Sequence, residues 1–255
     1  MERRYCLNCT VEIDNQKFCG QCGQKTDTHR IKMKHFILHD LLHGVWHFEK
    51  GILFTVKEVF KRPGKAALDY IAGKRIRYYN VFYLSLLLIG VNILLVHFYR
   101  ELNADEHIKP KDTLTVVAFL SKYINFIIFG MVPPLAFNAW IIFKRLNLNF
   151  AEHLIIGGIN LVGILFLSIF YKFFDFANDY FSLPLPLAIF EPISFVLMIL
   201  FPAWTYYNAA RKLYSWGGFV WRIAVFYIVT IILLFALLTA VILMLTDNPA
   251  IEINL

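Results

Sequence analysis

Several runs of about 20 apolar residues, all after residue 80, restrict this chain to a small set of folds. At a rise of 1.5 Å per residue, a helix of that length matches the roughly 30 Å hydrocarbon core of a bilayer. In lipid, backbone N–H and C=O groups must find partners inside the segment, so such runs are read as helices. The sequence therefore predicts an all-α integral membrane protein with five spans: Val81–Phe98, Tyr123–Phe143, Leu154–Phe174, Leu187–Tyr207 and Ile223–Leu245. Pro133 and Pro134 predict a break in the second span, because they remove two backbone donors. Pro202 lies in the fourth. Gly157, Gly158 and Gly163 leave room for close helix contact along the third.

Charge divides the chain at the same boundary. The first 80 residues hold 15 Lys and Arg against eight Asp and Glu, while the remaining 175 residues are balanced, so the net charge of +7 sits on one side. Three units follow: a zinc ribbon over residues 1–28, a basic amphipathic arm over 29–79 and a five-span body over 80–255. The opening Met1-Glu2-Arg3-Arg4 runs into cysteines rather than an apolar stretch, so no cleavable signal peptide is expected. Basic residues in the loops after the second and fourth spans (Lys144, Arg145, Arg211, Lys212, Arg222) place those loops with the basic head on the cytosolic side. Acidic residues accumulate in the opposite loops. The expected topology has the N-terminus inside and the C-terminus outside.

The string Cys6-Leu7-Asn8-Cys9 followed by Cys19-Gly20-Gln21-Cys22-Gly23 is the most specific motif. Each Cys-x-x-Cys turn can offer two thiolates, and two such knuckles complete a tetrahedral site of the kind zinc favours. A redox dithiol would sit at a helix start in a larger α/β domain, and no such domain is present. With four protein ligands the site is closed to substrate, so the metal is structural. A segment this small needs the metal to fold.

Between ribbon and first span, His35, His39, His43 and His47 recur every four residues, which on a helix gives a slanting ridge opposite Leu38, Leu42, Val45 and Phe48. An interfacial amphipathic helix is one reading. A second metal site at His39, His43 and His47 is another, and His39-Asp40-Leu41-Leu42-His43 approximates a zinc protease helix with Asp in place of Glu. Arg62-Pro63-Gly64 ends this helix, and Gly73-Lys74-Arg75-Ile76-Arg77 precedes the first span. Arg62, Lys74, Arg75 and Arg77 suit anionic lipid headgroups. Nucleic-acid binding is disfavoured, because these charges lie against the bilayer.

The spans carry Asn92, Asn125, Asn138 and Asn160, residues suited to interhelical hydrogen bonds. Glu191, by the outer end of the fourth span, is the acid best placed for a functional role. No nucleophile with a base and an orienting partner is evident, so a catalytic reading rests on the histidine helix alone.

The double Cys-x-x-Cys start, His43-Gly44-Val45-Trp46-His47-Phe48-Glu49-Lys50-Gly51, Arg62-Pro63-Gly64 and Tyr70-Ile71-Ala72-Gly73-Lys74-Arg75 together resemble an uncharacterised bacterial membrane-protein family, common in Bacteroidota, with a short zinc-ribbon-like start and several spans. The resemblance implies a bacterial inner membrane and supplies no catalytic residues. The expected role is a non-catalytic adaptor or regulator, whose ribbon docks a cytosolic protein and whose arm contacts anionic lipid. The alternatives are transport or lipid handling by the membrane body, and a membrane metalloenzyme built on the histidine helix.

Overall fold

A computed structural model describes residues 4–14, 16–28, 30–31, 51–102, 115–181 and 187–247. The described chain is a helical body with a small β head. In the head, β1 (Arg4–Tyr5) pairs antiparallel with β2 (Glu12–Ile13). Two short helices follow, α1 (Gly51–Lys61) and α2 (Pro63–Ile71). The body comprises α3 (Val81–Leu102), α4 (Thr115–Gly130), α5 (Val132–Ile142), α6 (Phe150–Phe181), α7 (Leu187–Ala210) and α8 (Trp216–Asp247).

Among the described residues, five segments are long and apolar enough to cross a membrane: Val81–Tyr99, Lys122–Ile142, Phe150–Asn178, Phe190–Ala210 and Trp216–Met244. They coincide with the five expected spans, with two physical differences. The second span is two helices, parted at Met131 just ahead of Pro133 and Pro134, where the proline rings deny the preceding turn its hydrogen bonds. The helices of the third and fifth spans, α6 and α8, extend beyond the expected Leu154–Phe174 and Ile223–Leu245 at both ends, since a helix continues as long as its backbone bonds are met, whatever the side chains.

The third span, α6, is the centre of the body. More than half of its apolar window (56%) is buried, against 11–39% for the other four. Its glycines each receive a different neighbour. A Cβ on Gly158 would lie 2.6 Å from Val81 of α3, one on Gly157 would lie 2.9 Å from Val132 of α5, and one on Gly163 would lie 2.1 Å from the Phe201 ring of α7. Lipid tails are as apolar as leucine, so helices in a bilayer associate through close packing and polar contacts rather than a hydrophobic drive. On α3, Leu84, Ser85, Leu88, Ile89 and Asn92 are buried, while Leu86, Leu87, Ile93 and Leu94 are exposed. That helix is apolar on both faces, as a span contacting protein on one side and lipid on the other must be.

The described part of the arm from residue 51 on is not a separate layer. Helices α1 and α2 form a hairpin packed into the body, with Val59, Ala66 and Ala67 fully buried and Phe60 set edge-on against Phe166 and Phe201. The Arg62-Pro63-Gly64 turn explains this. Pro63 opens α2, where a missing N–H is harmless. Gly64 then meets the α7 backbone, because a Cβ there would lie 2.2 Å from the Thr205 carbonyl oxygen and 2.4 Å from the Ala209 nitrogen. Asn208 Oδ1 accepts the Lys65 N–H at 2.8 Å. Amphipathic periodicity reveals that one face of α1 is buried; it does not reveal that the cover is protein.

Gly64→Ala should therefore lower stability by about 1–3 kcal/mol, since backbone atoms must move apart. Gly90→Ala is the control, with nothing within 4 Å of its Cβ position. Thermal unfolding of the detergent-solubilised protein should show a clear drop for the first variant and none for the second.

Candidate metal centre

The head consists of two near-copies of one turn. In the first, the Cys6 N–H donates to the Val11 carbonyl at 2.8 Å and the Thr10 N–H to the Cys6 carbonyl at 2.9 Å. In the second, the Cys19 N–H donates to the Gln24 carbonyl and the Gly23 N–H to the Cys19 carbonyl, both at 2.8 Å. The residue after each second cysteine turns left-handed, Thr10 at φ 61° and Gly23 at φ 72°. Glycine takes that conformation freely; Thr10 does not, and its hydroxyl donates to the Cys9 carbonyl at 2.6 Å.

These turns bring Cys6, Cys9, Cys19 and Cys22 together, with all four sulfurs within 4.8 Å of one another. The Cys6–Cys22 and Cys9–Cys19 sulfur pairs are each 3.6 Å apart. A tetrahedron with metal–sulfur bonds of about 2.3 Å has edges of about 3.8 Å, so the spacing suits one four-coordinate ion. The electrostatics agree. The amides of Cys22 and Gln21 face the Cys19 sulfur and hold its thiol below the ordinary range. Against its own burial, the Cys22 thiol is lowered to about 6 by the Asn8 side chain, the Gln24 amide and neighbouring thiols. Despite the Val11 amide, Cys9 is pushed up to about 12 by burial and by the other three sulfurs. Four thiolates this close need a cation between them. The four-cysteine set predicted from sequence is thus assembled, and it could hold a metal ion.

The head is clasped to the body. Arg77 donates to Asn8, from Nε to Oδ1 at 2.7 Å and from a terminal nitrogen to the carbonyl at 3.2 Å. The Ile76 N–H donates to Gln24 Oε1 at 3.0 Å. Gly73, at φ 98°, leaves room for Leu7, whose Cδ1 would lie 2.7 Å from a Cβ there. Asn8 and Leu7 are the two residues between Cys6 and Cys9, so the knuckle itself forms the contact. A second clasp joins residues 30–31 to the start of α6. Arg30 makes a two-pronged ion pair with Glu152, both bonds at 2.7 Å, and also donates to the Asn147 carbonyl. Asn149 and Glu152 form a reciprocal capping box, with Glu152 Oε2 accepting the Asn149 N–H and Asn149 Oδ1 accepting the Glu152 N–H. The Asn149 side-chain amide donates to the Ile31 carbonyl at 3.0 Å.

The cations proposed for headgroups lie at this same end and are engaged within the chain. Arg62 pairs with Glu58 and, at 3.7 Å, with Asp69. Lys74 pairs with Asp69 at 2.8 Å, and Arg75 lies over the Tyr70 ring. Burial, reinforced by the Asp69 and Glu58 charges, pushes the neighbouring Tyr78 up to about 12. The basic loops collect here too. The Arg145 N–H donates to the Tyr214 hydroxyl, and both Arg145 and Arg222 lie over its ring. His39, His43 and His47 fall outside the described residues. Glu191, the acid singled out in the fourth span, is exposed. The sequence reading overlooked Arg30 and Glu152, although Asn149-Phe150-Ala151-Glu152 has legible capping-box spacing. It also overlooked His153, which is buried with its Nδ1 3.4 Å from the Tyr206 hydroxyl.

Purified protein should carry one metal ion per chain, lost in Cys6→Ser, as elemental analysis would show. Protons compete with the metal for thiolates. Acidification should therefore strip the metal, which elemental analysis after dialysis at falling pH checks. Arg30→Ala leaves the buried Glu152 carboxylate with the Asn149 amide as its remaining partner among the described residues, at a cost of about 1–3 kcal/mol. It should lower the melting temperature and expose residues 28–31 to protease without changing metal content.

A family model described as a protein of unknown function (DUF3667) matches residues 49–89. That stretch covers the α1–α2 hairpin, the loop on which the head sits and the first part of α3. The head and the other spans lie outside it. Neither a curated protein nor a solved structure matches the chain.

Proposed function

We propose that this chain is a non-catalytic membrane adaptor or regulator, with a zinc-stabilised head that docks a cytosolic protein. The observation that carries the reading is the exposed apolar surface of a head that is itself fixed to the body. The head is held to the hairpin loop through Asn8 and Gln24. Tyr5, Val11 and Phe18 are nevertheless exposed at 54%, 41% and 59%. Three exposed large apolar side chains on so small a unit suit a protein contact. A ligand set of four cysteines leaves no open coordination position, which favours a structural zinc over a catalytic one.

The same end gathers the hairpin cations and the basic loops, so the positive-inside rule puts it in the cytosol, with the C-terminus outside. A bacterial inner membrane fits the family resemblance. Arg62, Lys74, Arg75 and Arg77 add attraction to anionic headgroups there, less than the roughly 1 kcal/mol of a free cation for Arg62 and Lys74, which Glu58 and Asp69 already pair. Docking through Gly73, Ile76 and Arg77 gives the head a direct mechanical route to the start of the first span.

The test is a quantitative pull-down from native membranes at matched abundance. A cytosolic partner should be lost both with Cys6→Ser/Cys9→Ser, which removes the metal, and with Phe18→Asp, which keeps it. A partner list unchanged by Phe18→Asp would refute the adaptor role of the head.

A further inference from the structure

Lys172 lies about 33 Å along α6 from Phe150, close to the end of the span remote from the head. A lysine so placed ordinarily extends its stem outward, so that the ammonium reaches water. Here it runs the other way. Side chains on a helix lean toward its N-terminus, and the Lys172 Nζ donates to Asn92 Oδ1 at 2.9 Å, about one turn deeper in the body. Asn92 is fully buried on α3 and is held from both helices. Its Nδ2 donates to the Leu88 and Leu165 carbonyls, while its Oδ1 also accepts from the Ser168 hydroxyl at 3.3 Å. The acceptor is neutral, and among the described residues Lys172 makes no ion pair.

Lys172 also lines a cavity of about 550 Å³ between α3 and α6, within the range of small-molecule sites. Leu95, Val96, Phe98, Phe173 and Phe176 make its walls apolar, and Lys172 is the cation among its described lining residues. Asp175 also borders it, one turn further toward the far end of α6. An apolar slot between two spans accepts a hydrocarbon chain. A half-buried ammonium with N–H donors beyond the one given to Asn92 calls for an anion.

We propose that the cavity between α3 and α6 binds an acyl chain bearing an anionic head, with the head on Lys172 and the chain against Val96, Phe98 and Phe173. The Asn92–Ser168 pair positions Lys172 by holding the ammonium inward. The site is at the opposite end of the body from the metal centre and stands independently of the role of the head. A free fatty acid and a bilayer phospholipid offer the same chemistry.

The test uses full-length detergent-solubilised protein and three photoreactive probes: a diazirine palmitic acid, the matching hexadecanol and a diazirine phosphatidic acid, with labelled peptides mapped by mass spectrometry. At least one anionic probe should label peptides spanning 95–99 and 171–176 about tenfold more than the alcohol. Lys172→Met should reduce that labelling to the level of the alcohol, and Lys172→Arg should retain it. Val96→Trp, which fills the slot and leaves the cation, should abolish it. Labelling by the free acid identifies a fatty acid as the ligand; labelling by the phosphatidic acid alone identifies a bilayer lipid. Labelling by both anionic probes no stronger than by the alcohol overturns the proposal. Should Lys172→Met fail to fold, competition on the wild type decides instead. The unlabelled form of whichever anionic probe labels must then displace it, and unlabelled hexadecanol must not.

Discussion

Close approach at glycines is the constraint on which the rest of this structure depends: neighbouring side chains enter at the glycines of α6, and backbone meets backbone at Gly64. A bilayer gives no solvent penalty for exposed leucine, so helix association must come from contact itself. Gly157, Gly158 and Gly163 admit α5, α3 and α7 to within distances that a Cβ would forbid. Gly64 does the same for the hairpin against α7. Once these approaches are made, the polar side chains of the spans fall within reach of main-chain acceptors, as Asn92 does at Leu165 and Asn138 at Phe226. Interhelical hydrogen bonds here are a product of close packing as much as a cause of it.

The hairpin changes what the basic arm means physically. A peripheral amphipathic helix is held by lipid and can lift away. This one is held by Phe60 between Phe166 and Phe201, by Gly64 under Thr205, and by an ionic chain from Glu58 through Arg62 and Asp69 to Lys74. The chain is strongest where solvent is scarce, since charges in a low-dielectric setting interact more strongly and cost more to separate. The hairpin is thus a fixed platform, and the loop from Gly73 to Arg77 is its upper surface, ready to receive the head. The family likeness falls on this platform and its continuation into α3.

The spans and the four cysteines were legible because each follows from local chemistry. Length and apolarity suffice for a helix in lipid, and paired thiols at knuckle spacing suffice for a tetrahedral site. What stayed hidden depends on contacts between distant residues. Periodicity shows that Val59 faces away from water and is silent on whether lipid or α6 covers it. Arg77 reads as a headgroup cation, and nothing local reveals that it also holds Asn8. Lys172 reads as an outer-loop charge, because nothing in its neighbours reveals that Asn92, 80 residues earlier, turns it inward.

The Arg30–Glu152 clasp joins residues 122 positions apart. During synthesis the four cysteines leave the ribosome before any span exists, and domains generally fold as units in that order. The knuckles can therefore close early, while their seat at Gly73–Arg77 and their anchor at Glu152 are made later. The head must wait, folded and undocked, until the third span has been inserted with its capping box formed. Full seating of the head thus depends on the start of the third span being in place.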